Sequence, residues 1–136
     1  MTPNVIILAA GKGSRMKSNI PKVLHPIAGE PMLHRVIKTA AQLAPKEMHL
    51  VLGHGIDQIE ASLSALDGPL NTVLQAEQLG TGHAVKIALA HVPDDGISLV
   101  LYGDVPLITH GTLAECVAAA QLGHLSIVTA EFSDPA

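Results

Sequence analysis

The chain has 136 residues, 48% apolar and only 15% charged, with eight basic against twelve acidic side chains and a net charge of −4. That length suits one domain with a real core, and the composition excludes intrinsic disorder. A negative chain whose only aromatics are Tyr102 and Phe132 lacks the basic footprint and stacking platforms of nucleic-acid binders, so no nucleic-acid partner is expected.

The first element is Asn4–Ala10 (NVIILAA), a continuous apolar run closed by glycine, which reads as a buried strand. From Pro31 onward Met32, Leu33, Val36, Ile37, Ala40 and Leu43 recur at helical spacing, with His34, Arg35, Lys38 and Gln42 on the other face. Glu47–Leu52 is the next strand, and Ile56, Ile59, Leu63 and Leu66 mark a second helix stopped by Gly68-Pro69. Thr72–Leu74 is a short strand, and Thr81 is placed to cap a helix running to about Ala90. Ser98–Tyr102 (SLVLY), a helix over Gly111–Leu122 and a last strand Ser126–Glu131 complete the series.

Strand–helix alternation of this kind predicts an α/β fold, a mostly parallel sheet with helices on both faces. The longest apolar run, such as Val5–Ala10, falls far short of the ~20 residues that cross a membrane. No cationic leader precedes it, and the single cysteine, Cys116, cannot form an internal disulfide. Cys116 sits among helical alanines and reads as a buried, inert thiol. A cytoplasmic protein with no membrane partner is therefore expected.

In a parallel sheet the ligand sits beyond the carboxyl ends of the strands, so the loops after Ala10, Leu52, Leu74 and Tyr102 are expected on one rim. The first, Gly11-Lys12-Gly13-Ser14-Arg15-Met16, has glycines that let backbone N–H groups approach a polyphosphate, and Arg15 could clamp its oxygens. Met16 breaks the dinucleotide fingerprint, and no Gly-Lys-Ser/Thr closes a Walker loop. By itself the loop fits an ordinary glycine turn equally well.

Lys22, beside the rigid Pro21, is a second candidate phosphate cation or else a solvated surface lysine. Gln75-Ala76-Glu77-Gln78-Leu79-Gly80-Thr81-Gly82 ends a strand and opens a helix. A glutamine amide offers donor and acceptor side by side, matching the imide edge of uracil, although helix-capping polar residues look the same. Asp104 stands directly beyond a buried strand, where a carboxylate suits Mg²⁺ as well as a turn. Three such loops on one rim favour the metal. His25 and His83 lie inside these segments as possible ligand contacts or caps. Zinc-site spacing and a serine-nucleophile elbow are both missing from the sequence.

Three stretches, LAAGKGSRMKSNIPKVLH, LQAEQLGTGHAV and LYGDVPLI, in this order and spacing, resemble one family. It is the pyrophosphorylase domain of the bacterial bifunctional N-acetylglucosamine-1-phosphate uridylyltransferases/glucosamine-1-phosphate acetyltransferases. The resemblance runs from Val5 to the C-terminus, and Ser14 replaces the family's usual Thr while keeping a hydroxyl. It implies a Rossmann-like nucleotidyltransferase fold, C-terminally truncated, with residues 1–136 forming the N-terminal part of the domain. It also implies that UTP and N-acetylglucosamine 1-phosphate give UDP-N-acetylglucosamine and pyrophosphate with Mg²⁺.

Carried over residue by residue, the resemblance places Leu8, Ala9, Ala10 and Gly11 along the nucleotide and Lys22 on its phosphates. Arg15 falls on the leaving group, and Arg15 and Lys22 together form the catalytic pair. Gln75, Gly80 and Thr81 fall at the uridine, and Tyr102, Gly103 and Asp104 at the sugar and metal, with Asp104 the metal ligand. The family's second metal ligand, its β-helix acetyltransferase domain and the homotrimer built through that domain are expected in sequence beyond Ala136. A short non-catalytic nucleotide-binding module, or a relative using another sugar or base, are the alternative readings.

Overall fold

The structure, a computed structural model, describes residues 3–10, 21–53, 55–64, 66, 70–75, 80–92, 96–105 and 108–123. Its centre is a four-stranded sheet of β1 (Asn4–Leu8), β4 (Glu47–Leu52), β5 (Leu70–Leu74) and β6 (Ser98–Tyr102). The order is β5-β4-β1-β6 and every pair is parallel. Two-residue strands β2 (Pro26–Ile27) and β3 (Glu30–Pro31) form a separate hairpin. The helices are α1 (Met32–Ala41), α2 (Ile56–Leu63), α3 (Thr81–Leu89) and α4 (His110–Gln121).

The period-2 geometry of a strand sorts the apolar side chains into two cores. Val5, Ile7, Met48, Leu50 and Leu52 face one way, onto Leu33, Val36, Ile37 and Ala40 of α1, Ile59 and Leu63 of α2 and Leu113 of α4. Ile6, Leu8 and Val51 face the other way, onto Ala84 and Ala88 of α3 and Val92 just beyond it. A strand sandwiched between two helical layers has to be apolar at every position, which is why NVIIL shows no alternation. Burying one such Ile or Leu contributes about 1.5–3 kcal/mol, and every residue of β1 is buried.

Several expectations are corrected. The first strand stops at Leu8, and β5 begins at Leu70, two residues earlier than its polar start suggested. Gly80, with φ +103, takes the N-cap position of α3; Thr81 is the first helical residue and no side chain caps the end. Thr109 does cap α4, its hydroxyl accepting from the Thr112 N–H at 3.2 Å. His34, read as part of the solvent face of α1, is buried against α2. Cys116, read as buried, is half-exposed. The expected strand Ser126–Glu131 lies outside the described residues. No helix among the described residues is long and apolar enough to cross a membrane.

Candidate functional site

From β1 the chain builds outward through β4 to β5, then returns past β1 to lay down β6. The sheet therefore reverses direction between β1 and β6, and the crevice beyond their carboxyl ends is where an open α/β sheet binds ligands. The ladder continues past the strands and fixes their exits. Gly103 N–H donates to the Leu8 carbonyl at 2.9 Å, Ala9 N–H to Val51 at 2.9 Å, and Gln75 N–H to Leu52 at 2.7 Å.

Gly103 is closely packed, so a side chain there would press on its neighbours. A Cβ there would lie 3.2 Å from Leu33 Cδ1, 3.3 Å from Ala9 Cβ and 3.4 Å from the Leu8 carbonyl oxygen. The close approach lets the turn at 103–104 fold over the end of β1. It carries Asp104 to the mouth of the crevice.

Lys22 reaches the same point from a different part of the chain. Its Nζ lies 3.0 Å from Asp104 Oδ2, and both side chains stay partly in solvent, 45% and 34% exposed. A 3₁₀ turn, Lys22–Leu24, holds the backbone, with Leu24 N–H bonded to the Pro21 carbonyl and His25 N–H to that of Lys22. Val23 anchors the turn in the core. The preceding Pro21 ring packs on Gly55, the N-cap of α2, whose left-handed φ of +74 and missing side chain make the space. The short hairpin after the turn is fastened to α1 by Arg35 Nε to the Ile27 carbonyl (2.9 Å) and by a Lys38–Glu30 ion pair (3.1 Å).

Leu8, Ala9, Ala10, Lys22, Gly103 and Asp104 are thus gathered at one place, and Tyr102 lies half-exposed on the last position of β6. Gln75 and Gly80 form a second group at the end of β5, two strand spacings or roughly 10 Å from β1 along the rim. Thr81 opens α3 beside them. Gly11 and Arg15 lie outside the described residues. Gly55 was not singled out by sequence reasoning; the only signal was its place in the Gly53-His54-Gly55 loop after β4. A cavity of about 350 Å³ lined by Glu47, His49, Asn71, Thr72, Val73 and His91 lies at the opposite end of β4 and β5. It shares no residue with this rim.

The fold is that of the nucleotidyltransferases, and the comparisons show the family. Residues 5–136 match the MobA-like NTP transferase domain, and the chain belongs to that family. It is similar to the bifunctional protein GlmU of Marinobacter nauticus, 55% identical across 99% of this chain and 30% of that protein. The GlmU of Pseudomonas aeruginosa is 53% identical across 99% and 29% respectively. The chain therefore spans about three-tenths of the length of these curated relatives. Among solved structures, Rv0371c from Mycobacterium tuberculosis superposes with a TM-score of 0.74 at 25% identity, over 90% of this chain and 62% of its own. A manganese complex of Rv0371c gives the same TM-score at 24% identity, over 90% and 61%.

Proposed function

We propose that the chain is the nucleotide-binding part of a sugar-1-phosphate uridylyltransferase domain. It would act on UTP and N-acetylglucosamine 1-phosphate to give UDP-N-acetylglucosamine and pyrophosphate. The observation that carries this reading is the Lys22–Asp104 pair, set by two remote segments at the switch point of the sheet. The similarity to GlmU supports the choice of uridine and sugar.

The sugar phosphate is already anionic, so no general base is needed. One of its oxygens bonds to the α-phosphorus while the bond from that phosphorus to the β-phosphate bridge oxygen breaks. Pyrophosphate leaves with the electron pair. The protein has to align these groups and offset their charge. In this reading Leu8, Ala9, Ala10 and Gly11 line the nucleotide with backbone groups, Lys22 neutralises its phosphates and Arg15 the leaving pyrophosphate. Gln75, Gly80 and Thr81 hold the uridine, while Tyr102 and Gly103 border the sugar.

Asp104 fits a divalent cation of the Mg²⁺ type. It is a hard, solvent-accessible carboxylate, and no group of three or more His, Cys, Asp or Glu able to hold a metal exists among the described residues. Mg²⁺ is commonly held by one or two carboxylates with substrate phosphates completing its shell, so a lone aspartate suits it. When bound, the cation would neutralise phosphate charge. An exposed pair such as Lys22–Asp104 is worth roughly 0.2–1 kcal/mol, so the two charges can exchange partners at little cost. With nucleotide and cation bound, Asp104 would hold the cation and Lys22 the phosphate.

In the longer protein of this reading, a C-terminal β-helix would acetylate glucosamine 1-phosphate with acetyl-CoA and form the homotrimer. The reactions would serve cell-wall precursor synthesis in the cytoplasm. A thermal-shift panel with Mg²⁺ tests the nucleotide assignment: UTP and UDP-N-acetylglucosamine should raise Tm more than ATP, CTP, GTP or dTTP. Protection by none of them, or by ATP above UTP, would contradict it.

A further inference from the structure

Gln75 is buried at the exit of β5, and its side-chain nitrogen Nε2 lies 3.3 Å from the Gly80 carbonyl and 3.0 Å from His83 Nδ1. A carbonyl can only accept, so the amide atom facing Gly80 is the NH₂ group and not the oxygen. That group has two hydrogens, one for Gly80 and one for His83. To accept it, Nδ1 needs its lone pair, which makes His83 a neutral imidazole with the proton on Nε2. Both donors of Gln75 are then used inside the corner between β5 and α3. Only the carbonyl oxygen Oε1 is left for a ligand, in place of the donor–acceptor pair expected from the sequence.

We propose that His83 is a specificity-determining positioning residue: it holds the Gln75 amide in one orientation, so that the site offers the base an acceptor and selects a ring N–H. Uracil presents that donor at N3, whereas N3 of cytosine is an acceptor and would face the Gln75 oxygen lone pair to lone pair. The inference rests on the uridine reading of the rim. Without His83 the orientation depends on the 3.3 Å bond to Gly80 alone, and a half-turn of the amide would present NH₂ to cytosine.

The test compares UTP and CTP in chemical-shift titrations of the chain, carried to millimolar nucleotide, for the unaltered protein, His83→Leu and His83→Asn. Asparagine keeps an acceptor close to the position of Nδ1. The UTP-to-CTP affinity ratio should fall about tenfold or more in His83→Leu and be retained in His83→Asn. A ratio unchanged in His83→Leu, with both nucleotides weakened in parallel or not at all, overturns the role and leaves His83 a packing residue. Independently of any nucleotide, ¹⁵N spectra of the His83 ring should show Nδ1 unprotonated at pH 8; a proton there overturns the lock. If the unaltered chain fails to favour UTP while the ring is as expected, the uridine reading fails and the selectivity role falls with it. An intact ratio in His83→Leu condemns the lock alone.

Discussion

Two glycines of the rim matter through the side chains they lack, and they fail differently when given one. At Gly55 a Cβ would overlap the Pro21 ring, on a backbone whose φ of +74 already disfavours any L side chain. Gly55→Ala should therefore cost about 1–3 kcal/mol in a urea titration and also displace the Pro21–Lys22 segment, weakening UTP binding in the surviving folded protein. Gly123→Ala is the control: its φ is +89 but nothing lies within 4 Å of a Cβ, so binding should be unchanged. At Gly103 the backbone is ordinary and the obstacle is packing. Leu33 is fully buried and has little room to give, so Gly103→Ala should destabilise by about 1–3 kcal/mol, seen as a lower urea midpoint. The glycine-rich loops were visible in the sequence. Their contacts were not, because Pro21 and Leu33 come from segments with no local pattern linking them to these turns.

Among the elements, β4 and β6 have the bounds read from the sequence, since each is an apolar run with clear stops. The β2–β3 hairpin was not legible. Its strands are two residues long and bounded by prolines, and of the two turn residues only Gly29, at φ +82, is a usual turn former, Ala28 taking φ +52. His34 shows a different limit. Periodicity put it with the polar face of α1, yet Ser62 of α2 lies against His34 itself, and a hydrogen bond replaces water: Ser62 Oγ donates to the Ile59 carbonyl at 2.8 Å and so accepts from His34 Nε2–H at 3.2 Å. Burial holds the His34 pKa below the ordinary value of 6.5, Glu30 opposing the shift and Lys38 adding to it. A depressed folded pKa means the unfolded chain binds the proton first as the pH falls. The contribution of this contact is full above about pH 6.5, shrinks as the pH drops below that value, and levels off below the folded pKa. His34→Gln keeps an N–H donor without titrating, so its urea midpoint should decline less between pH 7.5 and 5.5 than that of the unaltered chain.

For the whole molecule, strand–helix alternation was enough to read a parallel sheet covered on both faces, because that pattern has few ways to bury its apolar surface. The order β5-β4-β1-β6 was not legible, and the order is what brings Lys22 within 3.0 Å of a carboxylate 82 positions away. Taken separately, the two residues read as a phosphate cation and a metal ligand. In the folded chain each is the other's counterion. Amide chemical-shift mapping of the chain with UTP, with and without Mg²⁺, measures this directly. UTP should move the signals of Leu8–Ala10, Lys22, Gln75, Gly80 and Tyr102–Asp104 together, with the Asp104 change deepening when Mg²⁺ is added. Shifts clustered at the Glu47–His49–His91 cavity instead, or equal shifts with UTP and ATP, would contradict a uridine nucleotide site at the β1–β6 switch point.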